Sequence, residues 1–268
     1  MTDESPIIYG RINESFHQVG AAVVEEVLLR LGHEVEVHEG PHPEMYPKIA
    51  SGEHHLFADA WLPGGHAVYW EQVKDEVVEV APLYDDAKFF WAVPDYVDEN
   101  IRSLSDLAKP EVAERFTTRT VQGTGSYAGL TMMGDELLET YGLAELGWSQ
   151  PAGDIHAVID TVNSRFAAGD WFVTPLWQPM FLNEVHELRP LEDPEGAFPA
   201  PDRASLLAHR GAWENLPERT REVLGRIRFD VSDVNEMDLL VNVEGLDILP
   251  AIREWVQRHP DTLDAWFN

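Results

Sequence analysis

Cysteine is absent from the 268-residue chain, which excludes disulfides, thiolate metal sites and cysteine nucleophiles and leaves the redox compartment unmarked. Basic residues are scarce: 19 lysines and arginines stand against 48 aspartates and glutamates, a formal charge of −29 at pH 7. That field repels phosphate backbones and anionic headgroups at moderate salt, so neither nucleic acid nor a membrane surface is expected as a partner. Such a surplus also suits high salt, where screening removes the self-repulsion. Long apolar runs are missing too. Residues 1–6 are short and acidic before Ile7, so neither a signal peptide nor a transmembrane span is expected in this chain.

What is present is a composition that folds. Hydrophobic residues make up 44% and the charges are dispersed along the chain, unlike a disordered segment. The length sits where one domain gives way to two, so two lobes are expected. Residues 7–10 read as a strand, 19–31 as a helix closed by Gly32, and 33–38 as a second strand, a unit that builds parallel sheets with ligands at the carboxyl ends of the strands. Further strands are expected at 56–61, 89–93, 118–122 and 171–176. Helices are expected at 46–51, 103–107, from the glycine-rich stretch through 139, and at 202–209, 217–226 and 249–259.

Several of the nine tryptophans precede a proline closely, among them Trp61-Leu-Pro63, Trp91-Ala-Val-Pro94 and Trp177-Gln-Pro179. Proline ends a strand, and a tryptophan there points to where open α/β sheets bind ligands, so Trp61, Trp177, Trp91 and Trp171 are candidates against the plainer reading of core packing. Residues 123–128, GTGSYA, match a relaxed dinucleotide fingerprint. No second strand ending in an acid follows, so a nucleotide-dependent oxidoreductase using the turn from Gly123 to Gly125 stands only as an alternative. The stretch also fails the nucleophile elbow, because Thr124 and Ala128 stand where glycines belong. Among the eleven histidines, His54 and His55 are adjacent and on a strand would face opposite sides, so no metal site and no cofactor is expected.

Four strings then resemble the glycine betaine and proline betaine substrate-binding family of ABC importers: FADAWLPGGHAVY at 57–69, VTPLWQP at 173–179, LRPLEDP at 188–194 and EWVQRHPD at 254–261. They occur in the family's order and cover nearly the whole chain. The resemblance implies a type II periplasmic-binding-protein-like α/β fold, with residues 1–88 and 188–268 in one lobe, 89–187 in the other, and the ligand in the inter-lobe cleft. It implies a monomer working outside the cytoplasm with an ABC permease, and no enzyme. A soluble sensing module of the same fold is the other alternative. A trimethylammonium group has no N–H to donate and is held by shape and aromatic faces. By resemblance Trp61 and Trp177 match cage positions, and Tyr127 stands where the family places a Trp or Tyr. The ligand carboxylate is expected at the backbone N–H groups of His17 and Gln18, at a helix N-terminus. Many relatives place a histidine after the second cage tryptophan and its proline, where this chain has Met180; either His17 or His66 substitutes, or the ligand is one with a different anionic end, such as a sulfonium propionate, or with none, such as choline.

Overall fold

The computed structural model describes residues 5–268; residues 1–4, the start of the first expected lobe, lie outside the description. Seven strands follow the chain as β1 (Ile7–Ile12), β2 (Val35–Gly40), β3 (Leu56–Leu62), β4 (Val77–Pro94), β5 (Thr174–Gln178), β6 (Leu188–Pro190) and β7 (Asp202–His209). The chain divides into two compact units, one made of residues up to Ala87 and Pro201–Asn268, the other of Lys88–Ala200. The return to the first unit therefore comes at residue 201, not 188. Leu188–Pro190 stays with the second unit because it pairs with Ala92–Pro94 of β4.

In the first unit the sheet order is β2-β1-β3-β7-β4. β1 pairs in parallel with β2 and β3, and β7 runs antiparallel between β3 and β4. Ile7, Tyr9 and Ile12 of β1 are buried, and the Tyr9 hydroxyl donates to the Ala21 carbonyl at 2.7 Å. That bond seats helix α1 (Ser15–Arg30) on the sheet. On its far side α1 meets the helices Val231–Asn242 and Ile248–Arg258. There the buried Glu26 is neutralised by Arg30 at 2.8 Å and Arg253 at 3.0 Å, the arrangement a buried carboxylate needs.

Residues 202–209, expected as a helix, form β7. The string DRASLLAH favours a helix by intrinsic preference, but six of its eight residues are buried between two strands, and burial overrides propensity. β4 is also longer than expected, 18 residues in which Val77 to Ala87 pair with β7 and Lys88 onward with β5 and β6.

In the second unit Trp91, Leu104, Leu107, Leu137 and Trp148 belong to one buried cluster. Residues 118–122, expected as a strand, make only an isolated bridge between Thr120 and Ser149. A helix Gly129–Thr140 follows the glycine-rich turn. Helix Ile155–Ala168, which the sequence pattern left unassigned, is capped by Asp154 accepting from the Ala157 N–H.

Candidate functional site

Trp61 lies near the end of β3, a strand whose seven residues are all buried. The register against β7 slips between Phe57 and Ala60, and Asp59 takes φ 69°. This bulge removes Asp59 from simple alternation. Its carboxylate accepts the Tyr84 hydroxyl at 2.7 Å and the Trp61 Nε1–H at 3.3 Å, and the indole nitrogen is also 3.0 Å from the Tyr84 oxygen. His17 Nδ1 lies 3.2 Å from the other carboxylate oxygen.

The turn after β3 is held from two sides. Asp202, the first residue of β7, accepts the N–H groups of Gly64 and Gly65, each at 2.7 Å. His66 closes a small ring with the strand: its N–H donates to the Trp61 carbonyl at 3.0 Å, and the Trp61 N–H donates to His66 Nδ1 at 3.1 Å. The result is an aromatic cluster in which the His17 ring lies 4.1 Å from Phe16, 5.4 Å from Trp61 and 5.4 Å from His66, centroid to centroid.

A backbone N–H only donates, so His66 Nδ1 accepts, and the neutral ring carries its hydrogen on Nε2. That hydrogen faces His42 Nε2 at 3.0 Å, while Tyr46 Oη lies 2.8 Å from His66 Nδ1. His17, His42 and His66 bring nitrogen atoms within 4.8 Å of one another. A divalent ion on His66 Nε2 would first have to displace that hydrogen and break the Trp61 bond, so His42 and His66 are built as a hydrogen-bonded pair of neutral rings. Burial first, and the neighbouring imidazoles second, push His42 down to about 3 and His66 well below the ordinary histidine value.

Those shifts give a pH dependence with a definite sign. Below about pH 6.5 unfolded histidines take up protons that the folded rings refuse, so stability is lost as pH falls from there toward the folded value of about 3. With two such rings the slope approaches about 3 kcal/mol per pH unit well below pH 6.5. The melting temperature is expected to fall between pH 6 and 5, and His42→Gln to fall less steeply over the same range. A wild-type melting temperature that held steady to pH 4.5 would contradict this account.

The string HEGPH at 38–42 also carries a metallopeptidase spacing that the sequence reading passes over. Its histidines do not share a helix: His38 lies on β2, whereas His42 is the first residue of the helix His42–Ser51. His38 instead bridges the Glu36 carboxylate at 2.9 Å and His54 Nε2 at 3.2 Å.

Of the expected carboxylate contacts, Gln18 is corrected. Its N–H donates to the Glu14 carbonyl at 2.8 Å as the first bond within α1, so the amides that precede the helical ladder end at His17.

In the second unit Trp177 lies on β5 opposite Phe89, 2% exposed. Its carbonyl is held by Asn183 Nδ2 at 2.8 Å. Tyr127 is 38% exposed in the turn before the helix Gly129–Thr140. Its ring folds back over Gly125, where a Cβ would stand 2.7 Å from Tyr127 Cζ. With only an isolated bridge at 118–122, the dinucleotide reading loses the framework its fingerprint requires. Trp91 and Trp171 lie elsewhere. Trp91 is 0% exposed in the unit's core, and Trp171 packs against that core beneath the Arg115 guanidinium, 4.2 Å from its ring.

The structure brings His17, Trp61 and His66 together, and adds Phe16, Asp59 and Tyr84, which the sequence reading did not single out. Asp59 could have been found: it is the single charge in an otherwise apolar strand, LFADAWL.

An α/β unit inserted within another, with aromatic side chains clustered at strand ends, defines a solute-binding protein of the type II periplasmic-binding-protein-like fold. Residues 5–258 match the family model for the substrate-binding domain of the ABC-type glycine betaine transport system, OpuAC, and the chain belongs to that family. Its members are solute-binding proteins, not enzymes. The crystal structure of lactococcal OpuAC in its closed-liganded conformation with glycine betaine is similar at a TM-score of 0.88 and 20% identity, covering 98% of this chain and all of that one. A choline-binding protein of an ABC transporter, in complex with choline, is similar at a TM-score of 0.83 and 17% identity, over 97% of this chain and 91% of that one. The glycine betaine/carnitine transport binding protein GbuC of Listeria monocytogenes serotype 1/2a (strain 10403S) is 23% identical over 159 residues, 59% of this chain. The match spans about half of that protein's length, 52%.

Proposed function

We propose that the protein is the substrate-binding component of an ABC importer for a small quaternary-ammonium solute, glycine betaine or a close analogue. In this reading Trp61, Trp177 and Tyr127 supply the aromatic faces, and the amides that end at His17 receive an anionic end. The observation that carries it is the Trp61 indole, fixed through its N–H edge by Asp59 and Tyr84 among Phe16, His17 and His66. A ring fixed at its edge is suited to meet a ligand that has no hydrogen to donate. Two buried cation–π contacts at about 2 kcal/mol each and a more exposed third at about 1 kcal/mol, with an anchored carboxylate, approach the roughly 8 kcal/mol of a micromolar binder.

Where relatives use a histidine, Met180 is fully buried and apolar. His66 has both ring nitrogens engaged, which leaves His17 as the group that reads the anionic end. Family membership further supports a location outside the cytoplasm and delivery of ligand to a permease.

A thermal-shift panel tests the reading. Glycine betaine, choline or carnitine at a hundred times its Kd is expected to add about 2.7 kcal/mol of stability, whereas sugars, nucleotides and ordinary amino acids add none. A panel whose sole hit is a sugar or a nucleotide overturns it.

A further inference from the structure

Beneath Trp61 lies a carboxylate that the aromatic-cage reading does not use. Asp59 is fully buried, and its conformation is one that residues other than glycine seldom adopt, φ 69°. The helix above makes room for it: a Cβ on Gly20 of α1 would stand 2.9 Å from Asp59 Oδ2. A left-handed residue, a helical glycine and a tyrosine hydroxyl all converge on one charged group.

Buried carboxylates are ordinarily matched by lysine or arginine, because an unmatched ion in the interior is costly. Among the described residues, the one ion-pair contact of Asp59 is the His17 imidazole at 3.2 Å. Its remaining partners, Tyr84 Oη and Trp61 Nε1, are neutral donors. Three phenols share this interior, and Tyr9, Tyr46 and Tyr84 are raised chiefly by burial, with the nearby Asp59 a lesser cause.

We propose that Asp59 is a specificity-determining positioning residue: it orients the Trp61 indole through Nε1 and Tyr84, and it places a buried negative charge at the N–H edge of that ring whose counter-ion is the ligand's fixed cation. This rests on the functional reading above. A ring whose N–H edge donates to an anion is more electron-rich and attracts a cation over its face more strongly than the ring alone. A ligand that is only a cation gains the whole of that attraction, whereas a zwitterion brings a carboxylate that Asp59 repels. Asp59 therefore tilts the site toward choline-like cations.

The test compares wild type, Asp59→Asn and Tyr84→Phe, all as the full chain. Asparagine tolerates positive φ and keeps the Oδ1 acceptor, so Asp59→Asn removes charge with the smallest change in shape. Calorimetric titration with choline and with glycine betaine gives the affinity ratio. The Trp61 indole N–H resonance, assigned by its loss in Trp61→Phe, reports the hydrogen bond without ligand.

Asp59→Asn is expected to weaken choline about tenfold or more and glycine betaine clearly less, and to move the indole resonance, since charge-assisted bonds are roughly twice as strong as neutral ones. Tyr84→Phe is expected to move the resonance while leaving the choline-to-betaine ratio near the wild-type value. An unmoved resonance in Asp59→Asn overturns the positioning role, and an unchanged ligand ratio overturns the charge role. A wild type that binds neither compound overturns the functional reading and the counter-ion role with it, while the resonance still decides positioning.

Discussion

Trp61→Ala and Trp177→Ala are each expected to weaken glycine betaine binding by roughly thirtyfold or more. Each variant removes one cation–π face, about 2 kcal/mol when desolvated. Both rings are nearly fully buried, 1% and 2% exposed, so folding stability falls as well, and the titrations belong well below each variant's melting temperature. Trp61 is the more sensitive of the two, because its loss also leaves Asp59 and the Tyr84 hydroxyl without the indole N–H between them. Tyr127→Ala follows the same direction more mildly. Unaltered affinity in both tryptophan variants would show that the onium group binds elsewhere and that the cage assignment is wrong.

Trp255→Ala is expected to do the reverse, lowering the melting temperature by roughly 10 °C while leaving ligand affinity unchanged. Trp255 is 0% exposed in the helix Ile248–Arg258, stacked 5.0 Å from His259 and 6.5 Å from Trp266, with Phe229 edge-on at 6.5 Å. Removing such a ring leaves a cavity that costs about 3–5 kcal/mol, and a chain of this size shifts about 2–4 °C per kcal/mol. Differential scanning calorimetry beside a betaine titration checks both halves. A variant that melts like wild type, or one that melts normally but loses the ligand, would contradict the separation of core from cage.

The contrast between these tryptophans shows which parts of the molecule could be read from the chain. β1, α1 and β3 were legible because their apolar periods and punctuation agree with their final burial. The strings around Trp61 and Trp177 were legible because proline and glycine mark the strand ends. Trp91 was misleading: it precedes a proline too, but its strand pairs with β5 and its ring turns into the core of the second unit. β7 was misread because its alanines and leucines favour a helix locally, while the strands that bury them come from distant parts of the chain. The Gln18 amide was misplaced by the helix start alone, since the observed helix begins at Ser15 and the expected one at residue 19. The division at residue 201 was hidden because β6 is three residues long and pairs within the second unit.

The place of β7 carries a consequence for how the polypeptide acquires its structure during synthesis. Leu56 pairs with Ala208 and Leu62 with Arg203, and Val77 pairs with His209 on the other side. When a ribosome has made the chain as far as β4, the first sheet still lacks its middle strand, and the facing edges of β3 and β4 have nothing between them. Residues 88–200, whose contacts are satisfied among themselves, can condense in the meantime as a self-contained insertion. The early half must wait for the last quarter of the chain. During that interval two apolar edges lie open to pairing with another nascent copy. A chain truncated before Asp202 would lose not a peripheral element but the strand that joins the halves of its own sheet, together with the carboxylate that holds Gly64 and Gly65 in the turn after Trp61.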